Sequence, residues 1–299
     1  MKTKKRITAF ILVMAMVIST IISTPTQAAS KKYYWMSTKT KSYNYVDGAW
    51  KVNYTDTITY DSKGRTKTYI SKSGSDYTSK SIYSYKKDGG MTVTYYYNGK
   101  KSGKYVYKVD KKGRTDKTQE YDAKNKLIST TKYTYDKYSN CTKRTTTYKE
   151  KGRKKEVETT KYTYKKKKIV KSVTKYAWGS KSVTEYNNKG IIKKSTFTDG
   201  SYKSVDTYNS KGYNTKSVSE DSCYHTLTTY SYDKKGNTKE RVETRTDKVT
   251  NEKTVNTFTF SRKYDKNKNL TERVEYCNGE PNSKDVYSGY KKFKITSSN

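Results

Sequence analysis

The chain has 299 residues and a formal net charge of +37, because 65 Lys and Arg residues oppose 28 Asp and Glu residues. Hydrophobic residues make up only 31% of the chain, and that figure includes 34 Tyr. These numbers exclude a conventional core of Leu, Ile and Val, and a content of two Pro excludes a collagen or a proline-rich stalk. The single His excludes a His-rich metal site and catalysis by several histidines.

The N-terminal residues have the three parts of a secretory signal peptide. A basic start precedes a mostly apolar stretch over 7–22, and Ala28 and Ala29 provide small residues for cleavage. We therefore predict a signal peptide over 1–29 and a single β-repeat domain over 30–299, secreted or retained at the cell surface. No second apolar run follows, so we expect no integral membrane segment after processing.

One short phrase recurs along the mature chain: an aromatic residue, Asp or Asn, two variable residues and Gly. The copies that keep Gly are Tyr60–Arg65, Val109–Arg114, Tyr186–Gly190, Tyr208–Gly212 and Tyr232–Asn237. Asp or Asn bonds back to the backbone at the start of a tight loop, and Gly supplies a positive φ at its end. The phrase therefore predicts hairpin turns, with structural glycines at Gly64, Gly113, Gly190, Gly212 and Gly236.

The segments between the turns alternate with a period of two. Tyr105, Tyr107 and Val109 share one face of a predicted strand, with Val106 and Lys108 on the other. A turn about every twelve residues leaves strands of about seven or eight residues. We predict an all-β fold: an elongated, curled antiparallel β-meander of about twenty strand-turn units.

The Tyr-Asp-x-x-Gly-Arg phrase resembles the YD-repeat family, also called the RHS-repeat family. Tyr60–Arg65 and Tyr232–Gly236 match its motif best, and the resemblance runs patchily from about residue 45 to residue 278. Large members of that family wind such a sheet into a hollow shell around a toxin. This chain is too short to enclose one, so the resemblance implies the local strand-turn-strand unit.

Motifs for catalysis or metal binding are missing from the sequence. His225 has no nucleophile motif near it, and we interpret it as a strand residue. The spacing of Cys141, Cys223 and Cys277 fits no metal site, and their odd number leaves at least one unpaired within the chain. We expect no cofactor and no enzymatic activity, although the fold could still assemble a pair of carboxylates.

Positive charge is the stronger functional signal. The densest runs are Lys165–Lys168 and Arg153–Lys155, our candidate polyanion-binding residues: Lys165, Lys166, Lys167, Lys168, Arg153, Lys154 and Lys155. Lys far outnumbers Arg, which favours point-charge attraction over the bidentate reading of phosphates, so we expect no sequence-specific binding of nucleic acid. Candidate residues for stacking on sugar rings are Trp35, Trp50 and Trp178, although burial in a core is the favoured alternative.

These observations lead to one hypothesis with two alternatives. The first is a non-catalytic extracellular or cell-surface protein that binds anionic polymers: wall polymer, acidic polysaccharide or extracellular nucleic acid. The alternatives are a secreted enzyme that acts on polysaccharides and a protein-interaction module linked to a toxin system.

Overall fold

The computed structural model describes residues 33–74 and 77–294, which form strands and turns. This confirms the predicted all-β class. The predicted signal peptide lies outside the described residues. Among the described residues, no helix has the length and hydropathy needed to cross a membrane.

The strands have the following bounds: β1 Tyr33–Met36, β2 Lys39–Val46, β3 Ala49–Tyr60, β4 Thr66–Ser73, β5 Tyr77–Tyr85, β6 Met91–Tyr97, β7 Lys100–Val109, β8 Thr115–Asp122, β9 Leu127–Tyr135, β10 Cys141–Tyr148, β11 Glu156–Lys165, β12 Lys168–Lys175, β13 Lys181–Tyr186, β14 Ile192–Asp199, β15 Tyr202–Tyr208, β16 Asn214–Glu220, β17 Tyr224–Tyr232, β18 Thr238–Asp247, β19 Lys253–Tyr264, β20 Leu270–Cys277, β21 Glu280–Ser288 and β22 Lys291–Lys294.

Strands β2 to β21 form a closed barrel. Each strand pairs antiparallel with the next, and β21 pairs with β2 through contacts such as Ser42 opposite Asp285. The predicted elongated, curled antiparallel β-meander is therefore wrong, because its two free edges do not exist. Closure gives partners to the N–H and C=O groups that such edges leave unpaired, and the right-handed twist of the strands allows it.

The barrel also contradicts the prediction of no integral membrane segment. That prediction rested on the lack of a second apolar run in the sequence. Closed barrels are one of the two architectures that cross membranes, and their strands alternate in polarity instead of forming long apolar runs.

The chain divides into two compact units. Ser37–Lys291 contains the barrel. The described part of the other unit lies in β1 and β22, which pair with each other, and there the ring centroids of Tyr34 and Phe293 lie 5.8 Å apart.

The two faces of the barrel wall differ in burial. When the register is followed around the barrel, the buried residues of the described strands lie on one face, apart from Val274. We assign that face to the interior, because side chains converge on the concave side of a barrel. Fully buried Val93 stands there between Tyr83 and Tyr105 on the neighbouring strands. Tyrosine thus replaces the aliphatic core that the composition excludes. The other buried residues of this face are Ser42, Ser79, Ser81, Thr118, Ser129, Ser172 and Thr228.

The loops after the odd-numbered barrel strands lie at one end of the barrel, which we call the first rim. All but one of the hairpin loops there share two backbone hydrogen bonds. In the loop of Asp61, its N–H donates to the Arg65 carbonyl at 2.8 Å, and the Gly64 N–H donates to the Asp61 carbonyl at 3.0 Å. The Asp61 carboxylate also accepts the N–H groups of Lys63 and Arg65. We call a loop with this leading Asp or Asn an Asx loop, and it is the turn that the repeated phrase predicts.

The predicted glycines of these loops have positive φ. The values are 75° at Gly64, 74° at Gly113, 80° at Gly190, 84° at Gly212 and 85° at Gly236. Where the phrase is degenerate, Ser139 and Lys268 take the same position at φ 68° and 65°, and Asn125 does so at φ 64° in a loop at the opposite end. The turn geometry thus persists where the glycine is lost.

The tyrosine of the repeat holds neighbouring strands together. At the end of β17, the Tyr232 hydroxyl donates to the Asn214 carbonyl at the start of β16, at 2.6 Å. The same tyrosine latch recurs in Tyr60 to Ser37, Tyr85 to Thr66, Tyr135 to Thr115 and Tyr162 to Cys141. The arginine of the phrase packs on the next tyrosine, with the Arg65 guanidinium 4.1 Å from the centroid of the Tyr85 ring. The Tyr, the Asp, the Gly and the Arg of the phrase each therefore have a defined structural role.

Candidate polyanion-binding surface

Most strand lysines lie on the outer face of the barrel. Their cross-strand partners belong to the face opposite the buried Ser and Thr residues. Lysines with this placement include Lys41, Lys72, Lys80, Lys104, Lys108, Lys117, Lys132, Lys143, Lys161, Lys171, Lys175, Lys181, Lys194, Lys203, Lys216 and Lys284. The barrel therefore presents much of its positive charge outward.

One row of lysines crosses three strands. Lys108 stands opposite Lys117, and Lys117 stands opposite Lys132. Directly opposed side chains have Cβ atoms about 5 Å apart, and like charges at that distance destabilise a sheet. This lysine row is therefore a concentrated positive site that sheet stability alone does not favour.

Arginine has the opposite distribution. Arg144 and Arg273 project from the inner face, where they bond Glu158 at 2.6 Å and Asp285 at 2.8 Å. The planar guanidinium suits partly buried pairs, whereas the strongly hydrated Lys ammonium favours contact with water. Many strand carboxylates thus have partners inside the barrel, and fewer are left to neutralise the lysines outside.

The predicted run Lys165–Lys168 forms the one first-rim hairpin that lacks the shared pair of backbone hydrogen bonds. Lys166 and Lys167 both have positive φ, 49° and 65°. Two consecutive positive values define a type I′ turn, which usually carries Asn-Gly or Asp-Gly. In the barrel that pattern occurs at Asn98-Gly99, with φ of 44° and 77°. The two lysines occupy a conformation that favours other residues, and their side chains are exposed.

The second predicted run, Arg153–Lys155, lies in the loop between β10 and β11. The structure does not bring it to Lys165–Lys168, because the two runs flank opposite ends of the ten-residue strand β11, about 30 Å apart. The Arg153 guanidinium lies 3.3 Å from the centroid of the Tyr148 ring and 3.5 Å from Glu156. Lys154 and Lys155 are exposed.

The three predicted tryptophans differ in environment. Trp178 is 60% exposed, contrary to the favoured alternative of a core position. Trp50 packs at 5.0 Å from Tyr45, with the Lys284 ammonium 4.6 Å from its ring. Trp35 lies in β1, with the Lys292 ammonium 5.8 Å from its ring.

Sequence reasoning missed an open depression of about 440 Å³ at the first rim. It is lined by Asp233, Lys234, Lys235, Arg262 and Tyr264. Arg262 donates to the Thr238 carbonyl, as the tyrosine latches do elsewhere. The Tyr264 ring is 44% exposed, with the Lys235 ammonium 5.6 Å from its centroid. Tyr264 has the place in the repeat that a latch tyrosine such as Tyr232 has, but here Arg262 bonds the carbonyl of the neighbouring strand instead. The sequence alone therefore does not reveal the exchange.

The side chains that could take part in catalysis or bind a metal either have structural hydrogen bonds or lie far from one another. The Glu120 carboxylate accepts hydrogen bonds from Tyr105 at 2.7 Å and Ser129 at 2.8 Å. His225 stands opposite Glu220 on the outer face. Cys141, Cys223 and Cys277 are all free thiols. Within residues 33–74 and 77–294, no three His, Cys, Asp or Glu side chains cluster as metal ligands.

No protein-family model matches the chain. No curated protein matches it either. Similar solved structures include porin-like proteins from Bacteroides vulgatus and Bacteroides uniformis, each 11% identical with a TM-score of 0.35, over 84% of this chain and 97% and 96% of theirs. A TcdB2-TccC3-TEV structure has a TM-score of 0.35 and 13% identity, over 81% of this chain and 15% of that one. Similarity at this level supports no functional argument.

Proposed function

We propose that the chain is an exported, non-catalytic β-barrel protein that associates electrostatically with anionic polymers at the cell surface. The observation that carries the proposal is the segregation of strand lysines to the outer face of the barrel, whereas strand arginines such as Arg144 and Arg273 pair with carboxylates on the inner face. A wall polymer, an acidic polysaccharide or extracellular nucleic acid has the charge to match this surface.

The choice of lysine supports weak selectivity. A Lys ammonium is a flexible point charge, so it attracts carboxylate, sulfate and phosphate groups without fixing their geometry. Neutralising a polyanion releases its condensed counterions, so the logarithm of the association constant should fall linearly with the logarithm of the salt concentration. The absence of catalysis is part of the proposal, and the structural bonds of inner carboxylates such as Glu120 support it.

The test is binding of the mature protein to heparin, polygalacturonate and double-stranded DNA between about 50 mM and about 300 mM salt. We expect binding to all three at low salt and a steep loss at high salt. Failure to bind any of them at low salt would refute the proposal. Tight binding of one ligand that is indifferent to salt would also refute it.

A charge-matched pair of variants locates the surface. The triple variant K108Q/K117Q/K132Q removes the lysine row, whereas K63Q/K112Q/K189Q removes three exposed lysines from separate Asx loops. Both lose three charges. We expect the row variant to bind polyanions more weakly than the loop variant, because neighbouring charges act on the same polymer segment. Equal binding by the two variants would mean that net charge alone decides.

A further inference from the structure

The depression at the first rim lies where one Asx loop differs from its counterparts. In two other Asx loops, the fifth residue is an arginine that covers the tyrosine at the end of the next odd-numbered strand. The Arg65 guanidinium lies 4.1 Å from the centroid of the Tyr85 ring, and that of Arg114 lies 4.4 Å from the centroid of Tyr135. At the depression the fifth residue is Asn237, whose side-chain amide donates to the leading Asp of its own loop at 2.8 Å. This loop therefore provides no arginine to cover its tyrosine.

A second exchange leaves that tyrosine, Tyr264, exposed. The latch tyrosines Tyr85 and Tyr135 each donate to the first carbonyl of the strand that follows their loop. At the depression Arg262 donates to the corresponding carbonyl, that of Thr238, at 2.7 Å. The Tyr264 ring is 44% exposed, so it can stack on a ligand. The depression of about 440 Å³ beside it lies within the usual size range of ligand sites, about 300–1,000 Å³.

The lining of the depression is positively charged. Lys234, Lys235 and Arg262 line it, together with Tyr264 and a single acidic residue, Asp233. The Asp233 carboxylate already accepts three hydrogen bonds from its own loop. Among residues 33–74 and 77–294, the ion pairs include none of these three cations. Their charge is therefore available to an anion at the exposed ring, where the Lys235 ammonium lies 5.6 Å from the Tyr264 centroid.

We propose that this depression is a subsite for one acidic sugar of a polysaccharide. The sugar ring would stack on Tyr264, while its carboxylate pairs with Arg262 and the two lysines. A planar guanidinium matches the geometry of a carboxylate, which a lysine alone does not. Single-stranded nucleic acid binds by stacking successive bases on several aromatic side chains along a groove, so one exposed ring favours the sugar acid. The inference rests on the proposed function and names the class of polymer.

The test is calorimetric titration of the mature protein with a short oligogalacturonate, with a neutral galactan oligomer as its uncharged counterpart. We expect saturable binding of the acidic sugar and no binding of the neutral one. Tyr264→Ala removes the stacking surface and should weaken oligogalacturonate binding about tenfold. Arg262→Gln should also weaken it, and Arg262→Lys should weaken it less, because Lys keeps the charge but loses the planar fork.

Asn237→Arg separates the subsite from attraction by net charge. It restores the arginine that covers Tyr85 and Tyr135 in the other loops, so it should place a guanidinium over Tyr264 and block stacking. The variant also gains a positive charge. Net charge alone therefore predicts tighter binding of the short oligogalacturonate, whereas the subsite predicts a loss similar to that of Tyr264→Ala. The variant should fold, because two native Asx loops contain the same arginine.

Tyr138→Ala is the matched control. Tyr138 belongs to another first-rim Asx loop, is 37% exposed and has the Lys137 ammonium 5.1 Å from the centroid of its ring. It does not line the depression. Its removal should leave oligogalacturonate affinity unchanged, and circular dichroism should show the same folded barrel for all the variants.

The outcomes separate the two proposals. If Tyr264→Ala and Asn237→Arg bind the short oligogalacturonate as the parent protein does, and the binding still falls with salt, the subsite is refuted and the proposed function stands. If the parent protein binds no polyanion at low salt, the proposed function itself fails. Tighter binding by Asn237→Arg would also refute the subsite. Tighter binding of oligothymidylate than of oligogalacturonate by the parent, lost in Tyr264→Ala, would overturn the assignment to a polysaccharide.

Discussion

The two rims of the barrel differ in the kinds of loop that they contain. At the first rim, nearly every hairpin has the same pair of backbone hydrogen bonds, most with a leading Asx residue, and tyrosine latches hold the strands beside it. The second rim consists of the loops after the even-numbered strands. It mixes two-residue type I′ turns such as Asn98-Gly99 with longer loops such as the one that carries Arg153–Lys155.

The comparison shows which loops have the stable, repeated conformation and which do not. Where most loops share one stable conformation, a loop without its usual residues is informative. Lys166-Lys167 is the exception at the first rim, and the Tyr176–Ser180 loop at the second rim has the Asx-loop backbone without its Asx residue. In both loops a Lys or Tyr residue occupies a position where Asn, Asp or Gly would make the turn more stable.

Glycine substitution in the Asx loops should have the largest effect. A Cβ added at Gly236 would lie 2.2 Å from the Tyr213 hydroxyl oxygen, whereas at Gly190 it would meet nothing within 4 Å. Both positions have positive φ, which costs a residue with a Cβ about 1 kcal/mol or more. Gly236→Ala should therefore lower the free energy of unfolding by about 2–3 kcal/mol, and Gly190→Ala by about 1 kcal/mol. Urea unfolding measures both, and equal values would show that the contact with Tyr213 relaxes freely.

The Lys165–Lys168 hairpin at the first rim should become more stable when its two turn residues are replaced by Asn-Gly. K166N/K167G restores the pair found at Asn98-Gly99, and it should raise the free energy of unfolding by about 1–2 kcal/mol. If the lysines bind a polyanion, the same variant should bind heparin more weakly. Replacement of Lys165–Lys168 by four Glu should weaken heparin binding further without unfolding the barrel.

Two outcomes would contradict this interpretation of the hairpin. A loss of stability in K166N/K167G would mean that the two lysines stabilise the turn. Unchanged heparin binding in both variants would mean that the hairpin lysines only keep the protein soluble. The control is K63N in an Asx loop, where φ is not positive and neither property should change.

The tyrosine latches should each have a moderate effect. Tyr232→Phe removes only the hydroxyl that donates to the Asn214 carbonyl at 2.6 Å, and it should cost about 1 kcal/mol. Tyr202→Phe, at the start of β15 where the ring is 38% exposed, is the control and should cost little. Thermal unfolding compares the two, and an equal cost would argue against a stabilising role for the latch.

The smallest effect concerns pH. The pKa of Asp110 is lowered by the hydrogen bond from the Arg114 side chain, against some desolvation, and by backbone N–H groups of Arg114 and Lys112. In their own loops, Asn237 and Asn269 lower the pKa of Asp233 and Asp265 in the same way. A lowered folded pKa stabilises the protein above the unfolded pKa of about 3.9 and loses that contribution as pH falls through the folded value.

We therefore expect the free energy of unfolding to decline between about pH 4 and about pH 2. The variant D110N/D233N/D265N should show a shallower decline, because Asn does not titrate. It should remain folded at neutral pH, since Asn187 and Asn209 form the same loop in the native barrel. An unchanged acid profile in the variant would place the titrating groups elsewhere.

The sequence by itself determined the local structure of this protein. Alternation with a period of two predicted the strands, and Asp-x-x-Gly predicted the loops and the positive φ of glycines such as Gly64. These features depend on neighbours within a few residues, so they can be read without the fold. The outward charge was also visible in part, because Lys alternates with Tyr along strands such as β11.

Only the tertiary structure decided closure and the arrangement of the surface. The pairing of β2 with β21 joins residues more than two hundred positions apart, and no local pattern specifies it. The row Lys108–Lys117–Lys132 exists only once register aligns separate strands. The exposure of Trp178 likewise depends on which rings stack beneath it. Sequence patterns report contacts between near neighbours, whereas edges, rows and open faces arise from distant pairings.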